Sequence, residues 1–196
     1  MTGNDFMQAI ARYRLHFSFF VFVALALEWQ LNDGGRPHPL SSLGDLEHPL
    51  GMGLVALGLW LRSWAAGVID KRKALATAGP YALVRHPLYL GSFLIALGLV
   101  EIMEDRLALA AVVLVTFAIY IPTIRREERF LAERFGAAWQ RYAAGTPAFL
   151  PRRCARLVSG EWCGHQWWRN REWRVVVRTI VVIAFLEWWN GVTRGG

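Results

Sequence analysis

Long apolar runs alternate with polar, arginine-rich segments along this chain of 196 residues. Each apolar run has between 16 and 20 residues. A helix of that length reaches about 24–30 Å, which approaches the hydrocarbon thickness of a bilayer. We therefore predict about five membrane-spanning helices. They cover Leu15–Leu31, Leu50–Ile69, Leu88–Met103, Leu107–Ile124 and Val175–Val192.

The third and fourth runs are separated only by residues 104–106, and this spacing predicts an antiparallel helical hairpin. Apolar residues between Glu127 and Tyr142 then recur at spacings of three and four, which predicts a further helix that ends before Pro147. The chain has no G-x-G-x-x-G turn after a strand. The predicted fold class is therefore all-α: an integral-membrane helical bundle of about five transmembrane helices, with a cytoplasmic helical segment and no Rossmann domain.

The composition agrees with a membrane protein, because 55% of the residues are hydrophobic, only 19% are charged, and the mean hydropathy is +0.27. Roughly a quarter of the residues of a soluble domain are charged. Cys154 and Cys163 precede His165 in a C-x8-C-x-H arrangement, which offers too few ligands for zinc. We predict neither a metal site nor a disulfide framework.

The net charge of +7 comes from cations that flank the apolar runs instead of forming one basic face. We therefore predict the membrane as a partner and no nucleic acid. The cations concentrate in loop 70–87 and in segment 125–174, where tryptophans among the arginines of 152–174 predict an interfacial stretch. The positive-inside rule places both segments and the N-terminus in the cytoplasm, and the C-terminus in the periplasm, of a bacterial inner membrane.

A polar segment with glycine, proline and aromatic residues, Gly79–Gly91, leads into the third apolar run. Pro87 disfavours a helical backbone at His86 and suits the first position of a helix. Arg85 and His86 should therefore lie in front of the exposed amides of that helix, where an electron-rich group binds well. The two tyrosines of the segment offer faces for a base or a cation. The alternative is that these are ordinary interfacial side chains.

A second polar segment begins where the fourth run ends, with Glu127 and Glu128 directly after Arg125 and Arg126. Adjacent side chains on a helix point about 100° apart, so the two carboxylates should have different partners. One can face the bundle while the other pairs with arginine or faces water. A solvated charge cluster is the alternative interpretation of this segment.

Both segments, in this order and at this separation, resemble the isoprenylcysteine carboxyl methyltransferase family, which is related to membrane phospholipid methyltransferases. The resemblance covers about Lys73 to Pro151. Its motifs are the Gly-x-Tyr-x-x-x-Arg-His-Pro-x-Tyr-x-Gly loop, the Glu127-Glu128 run with Phe130-Leu131, Phe135-Gly136, Trp139, Tyr142, Pro147 and Leu150-Pro151. It implies a methyltransferase core over 71–151, between N-terminal transmembrane helices (1–70) and an interfacial stretch with a C-terminal transmembrane helix (152–196).

The resemblance further implies an S-adenosyl-L-methionine site and a lipophilic acceptor that enters from the bilayer. The implied cofactor contacts are Lys73, Ala74, Leu75, Ala76, Tyr81, His86, Pro87, Leu88, Tyr89 and Glu127. We predict Arg85, His86 and Glu128 as catalytic residues, since an amine or thiol acceptor must lose a proton. Prenylcysteine enzymes have an arginine where this chain has Thr123, so Thr123 and Arg126 are the predicted substrate contacts and a prenylcysteine acceptor is in doubt.

Three other functions remain open at this point. One is a phospholipid or thiol methyltransferase of the same superfamily. Another is a non-catalytic membrane scaffold or transporter, and the third is a membrane reductase that uses a nicotinamide cofactor. Binding of S-adenosylmethionine or of NADPH would separate these classes.

Overall fold

The computed structural model describes residues 47–70, 75–103, 106–151 and 160–194. Within these ranges the secondary structure is helical and contains no strand, which confirms the predicted all-α class. The helices are α1 (Glu47–Val68), α2 (Pro80–Leu83), α3 (Pro87–Met103), α4 (Arg106–Phe135), α5 (Ala137–Gly145), α6 (Gly164–Arg169) and α7 (Trp173–Arg194). The first predicted span, Leu15–Leu31, lies outside the described residues.

Helices α1 and α3 run antiparallel with their backbones in direct contact at glycines. A Cβ atom added at Gly58 would lie 2.6 Å from the carbonyl oxygen of Gly91, and one added at Gly51 would lie 2.8 Å from that of Gly98. Small residues at helix interfaces permit this close approach. Buried apolar side chains fill the space beside the glycines, namely Val55, Ile95, Leu99 and Ile102, with Val182 and Ile183 of α7 packed against them.

The predicted hairpin is present as α3 and α4. The ring centroids of Tyr89 and Tyr120 lie 5.0 Å apart, and those of Phe93 and Phe117 lie 5.7 Å apart. Rising numbers on α3 thus meet falling numbers on α4, as an antiparallel pair requires. Near the turn, Val100 packs against residues at the start of α4.

The structure differs in two ways from the single helix predicted over Glu127–Tyr142. Helix α4 continues without a break from the apolar run to Phe135, so the two glutamates lie on its extension and not on a separate helix. Gly136 has φ +51° and interrupts the helix before α5 begins. Glycine has no Cβ and adopts this backbone conformation without strain.

Two stretches of the described helices, Pro49–Val68 and Ala108–Phe135, are long and apolar enough to cross a membrane, and α3 is a shorter apolar helix. Five spans are therefore not confirmed. The side-chain distribution supports membrane association, because large apolar side chains face outward while Arg62 and Glu172 are buried. A soluble protein would show the opposite arrangement. The exposed apolar residues include Leu57, Leu114, Phe117, Ile180 and Val181.

Residues 160–172 wrap around the C-terminal end of α1, and we call this segment the C-terminal clasp. The last carbonyl groups of a helix have no partner within the helix. Here the clasp supplies donors from outside it. Trp162 Nε1 bonds to the Ser63 carbonyl (3.0 Å), Cys163 N to that of Gly67 (3.0 Å), and Asn170 Nδ2 to those of Ala66 (2.8 Å) and Ile69 (3.1 Å).

Candidate active site

The loop between α1 and α3 has a compact backbone that follows from its glycine and prolines. Gly79 has φ +59°, and Pro80 occupies the first turn of the short helix α2. Val84 is extended and ends α2, and Pro87 begins α3. Arg85 and His86 therefore lie between two helices, at the position that the sequence predicts for them.

Helix α5 and the segment after it hold this loop in place from outside. The backbone N–H of Arg85 donates to the Pro147 carbonyl (2.8 Å), and that of His86 donates to the Ala148 carbonyl (3.2 Å). The Tyr142 hydroxyl donates to the Tyr81 carbonyl (2.8 Å). The predicted motif residues that follow Gly136 thus support the loop.

Glu128 joins the two predicted catalytic residues of the loop. Its Oε1 atom lies 2.9 Å from His86 Nε2 and 3.2 Å from Arg85 Nη2. The His86 side chain is almost fully buried, whereas Glu128 keeps about a quarter of its side-chain surface. The Arg85 guanidinium also lies 5.9 Å from the centroid of the Trp139 ring, within the range of a cation–π contact. The negative charge of Glu128 is therefore balanced inside the site.

Glu127 points to a different partner, as its position next to Glu128 on the helix requires. The Tyr89 hydroxyl donates to Glu127 Oε2 at 2.9 Å. The Tyr89 ring is buried, in edge contact with Tyr120 and in a perpendicular arrangement with the His86 ring 5.8 Å away. The two glutamates thus connect α4 to two neighbouring points of the loop and of α3.

Two buried polar groups of the loop have no hydrogen-bond partner in the described part of the chain: the Tyr81 hydroxyl and Arg85 Nε. Burial raises the pKa of Tyr81 well above its usual value, and the negative charge of Glu127 raises it further. The hydroxyl therefore stays protonated and can donate. A buried donor without a partner costs free energy unless a ligand satisfies it.

The other predicted site residues are placed as follows. Leu75 and Ala76 are half-buried and precede Gly79, whereas Lys73 and Ala74 lie outside the described residues. Pro87 is buried and Leu88 half-buried in the first turn of α3, beside His86 and Tyr89. Their predicted cofactor contacts stay predictions.

The two predicted substrate contacts do not join this cluster. The Thr123 hydroxyl donates to the Ile119 carbonyl of its own helix (2.7 Å), and Arg126 is exposed. Each hydroxyl has one proton to donate, so that of Thr123 is already committed in this structure.

The sequence reasoning missed a buried ion pair between Arg62 of α1 and Glu172 of the C-terminal clasp. The sequence does contain a signal, because an arginine inside an apolar run needs a partner when it is buried. The partner could not be identified in advance, since it lies 110 residues further along the chain.

Comparison with known proteins gives a family match to part of the chain. Residues 46–138 match the phospholipid methyltransferase family. The sequence resemblance was expected to start at about Lys73. The family match starts earlier and therefore includes α1. No solved structure gives a significant match to the chain.

Three curated relatives are similar to this chain. The cobalt-zinc-cadmium resistance protein CzcN of Cupriavidus metallidurans is 43% identical over 150 residues, which cover 74% of this chain and 65% of that protein. The nickel-cobalt-cadmium resistance protein NccN of Alcaligenes xylosoxydans xylosoxydans is 39% identical over 105 residues, covering 53% and 47%. The protein-S-isoprenylcysteine O-methyltransferase of Schizosaccharomyces pombe is 31% identical over 112 residues, covering 51% and 48%.

The chain thus spans between about half and two thirds of the length of these relatives. The family match contains the loop and both glutamates, whereas the later motif residues of the predicted resemblance, from Trp139 to Pro151, lie beyond it. The predicted resemblance is therefore confirmed: residues 46–138 match the phospholipid methyltransferase family, and the chain is similar to an isoprenylcysteine methyltransferase over 112 residues.

Proposed function

We propose that this chain is an integral-membrane methyltransferase that uses S-adenosyl-L-methionine and methylates a lipophilic acceptor taken from the bilayer, with its site facing the cytoplasm. One observation supports this proposal most directly. The two motifs of the family meet, because Glu128 contacts His86 and Arg85 while Glu127 accepts a hydrogen bond from Tyr89. A scaffold would not need two carboxylates directed at one buried loop.

The chemistry of these side chains fits the proposed cofactor. When bound, S-adenosylmethionine supplies a methyl group activated by a positively charged sulfonium. Glu127 is a suitable acceptor for the ammonium of its amino-acid end, and Tyr81 offers a protonated donor that lacks a partner in the described residues. The aromatic faces near Tyr89 can hold a base or a cation.

The charge balance at Glu128 also suits methyl transfer. Methyl transfer from a bound sulfonium would consume its positive charge, so an unbalanced anion in the site would stabilise the reactant more than the transition state. Arg85 lies 3.2 Å from Glu128 and offsets its charge. The contribution of the protein is then the alignment of acceptor, methyl group and sulfur away from water.

An amine or thiol of a lipid is the acceptor that this site favours. A carboxylate acceptor would call for an arginine to orient it, yet Arg126 is exposed and Arg85 is paired with Glu128. An amine or thiol must instead lose a proton. If His86 donates from Nε2 to Glu128, its Nδ1 is free of that proton and can accept one from the acceptor.

Ligand binding to the detergent-purified protein tests the proposal. We expect S-adenosylmethionine to release heat of binding in calorimetry and NADPH to give none. Binding of NADPH alone would indicate a reductase, and binding of neither ligand would indicate a non-catalytic protein. Labelled methyl donor with extracted host lipids would then identify the acceptor.

The names of two relatives favour a second, physiological role. CzcN and NccN are both named as metal resistance proteins. We infer that methyl transfer by this chain contributes to tolerance of such metals in its host. Cells that carry the Glu127→Gln variant, which should bind the cofactor more weakly, should then be less tolerant of these metals. Equal tolerance in cells with wild type and variant would rule this role out.

A further inference from the structure

We propose that the buried ion pair of Arg62 and Glu172 positions the first turn of α3 and thereby sets the affinity of the site for its cofactor. The second half of this statement rests on the proposed function. Neither residue contacts the catalytic cluster directly, so both are positioning residues. The inference gives a role to the C-terminal clasp, which lies outside the matched family segment 46–138.

Arg62 and Glu172 form a bidentate ion pair. Arg62 Nε lies 2.6 Å from Glu172 Oε1, and Arg62 Nη2 lies 3.0 Å from Glu172 Oε2. Only 3% of Arg62 and 4% of Glu172 are exposed. A guanidinium held by two parallel hydrogen bonds has a fixed orientation as well as a fixed position. Its remaining nitrogen is therefore aimed in one direction.

That nitrogen, Arg62 Nη1, is directed at the beginning of α3. It donates to the Leu88 carbonyl at 3.0 Å and to the Ser92 hydroxyl oxygen. The Ser92 hydroxyl itself donates to the same Leu88 carbonyl at 2.9 Å. A Cβ atom at Gly91 would lie 2.5 Å from Arg62 Cγ, so the stem of Arg62 crosses α3 at its glycine. Arg62 thus fixes both the height and the rotation of this first turn.

The first turn of α3 is the part of that helix next to the candidate site. His86 directly precedes it, and Tyr89 within it donates to Glu127. Rotation of this turn would move the Tyr89 hydroxyl away from its carboxylate. The charges of Arg62 and Glu172 also affect the pKa of Tyr81 in opposite directions, so the pair lies near the buried hydroxyl as well.

The C-terminal clasp determines where Glu172 lies. Asn170 bonds to two carbonyls at the end of α1, and Arg171 adopts φ 58° to turn the chain toward α7. The Glu172 N–H donates to the Trp167 carbonyl at 3.3 Å. This hydrogen-bonded turn therefore holds the Glu172 carboxylate next to Arg62.

Positioning can be separated from stability by a pair of substitutions. Removing only Arg62 leaves a buried carboxylate without compensation, which destabilises a protein strongly. Replacing both partners by apolar residues of similar volume is often neutral for stability. The double variant Arg62→Met with Glu172→Leu should therefore fold, yet it lacks the bonds to Leu88 and Ser92. Arg169→Gln is the matched control, because it breaks the exposed Arg169–Asp70 pair within the same clasp.

Hydrogen exchange without cofactor tests positioning alone. We expect the amides of residues 90–92, the first in α3 with hydrogen bonds along the helix, to exchange at least tenfold faster in the double variant, while residues 98–103 keep their protection. Wild-type exchange at the first turn would overturn the inference, whether or not the protein binds S-adenosylmethionine. The control variant should exchange as the wild type does.

Calorimetry with S-adenosylmethionine tests the consequence for the site. We expect the double variant to bind roughly tenfold to a hundredfold more weakly, the range typical of a misplaced binding group, and Arg169→Gln to bind as the wild type does. Wild-type affinity in the folded double variant would overturn the role in the site. If the wild type itself binds no cofactor, the proposed function fails, and the exchange result still decides whether Arg62 positions α3.

Discussion

Replacing Glu127 by Gln is the most direct test of the candidate site. Glutamine has nearly the same size and keeps an oxygen that can accept from the Tyr89 hydroxyl, now 2.9 Å from Glu127 Oε2. The contact between α4 and α3 should therefore survive, and only the negative charge is removed. The variant thus separates a role in binding from a role in folding.

The size of the effect follows from the lost charge. A hydrogen bond to a charged group contributes about 1.5–3 kcal/mol, which corresponds to roughly ten- to hundredfold weaker binding of S-adenosylmethionine. Calorimetry on the purified protein measures this difference. Glu133→Gln is the control, since Glu133 is exposed on the same helix and its loss should leave the affinity unchanged. An unaltered dissociation constant in a folded Glu127→Gln variant would refute the assignment of Glu127 to the cofactor.

Three further predictions concern packing, acceptor and topology. Gly58→Ala should lower the thermal midpoint by an amount equivalent to about 1–3 kcal/mol, because its Cβ meets the Gly91 carbonyl, whereas Gly53→Ala, which has open space, should not. Turnover of N-acetyl-farnesylcysteine should be weak, because Thr123 stands where prenylcysteine enzymes have an arginine, and losing its charged contact with the carboxylate weakens substrate binding by about 2–5 kcal/mol. Robust turnover would contradict this. The predicted topology places residue 145 in the cytoplasm. The substitution Gly145→Cys, in a background without native cysteines, should therefore resist labelling from outside intact cells, and labelling there would overturn the topology.

The sequence predicted the parts of the fold that depend on neighbouring residues. The hairpin of α3 and α4 follows from two apolar runs joined by a three-residue polar turn, and the structure has it. The convergence of Glu128 with His86 follows from motifs at the ends of adjacent helices. In both cases a short connection limits the possible arrangements, so local patterns suffice.

The sequence could not predict contacts that depend on distant segments. Nothing near Glu172 indicates that it pairs with Arg62, and the donors that cap α1 come from residues about a hundred positions away. The break at Gly136 was also missed, because helical spacing continues across it and a single glycine does not by itself end a helix. The hydrogen bond from Thr123 to the Ile119 carbonyl could not be predicted either, because it depends on the side-chain rotamer of Thr123.

The C-terminal clasp has a consequence for the order in which the protein is made. Its hydrogen bonds to α1 and Asp70 join residues 96 to 110 positions apart, whereas the α3–α4 hairpin pairs residues close in sequence. The hairpin can therefore form while the ribosome is still translating, but the first turn of α3 is fixed only after residue 172 has emerged. Nascent chains arrested before that point should therefore hold the first turn of α3 loosely.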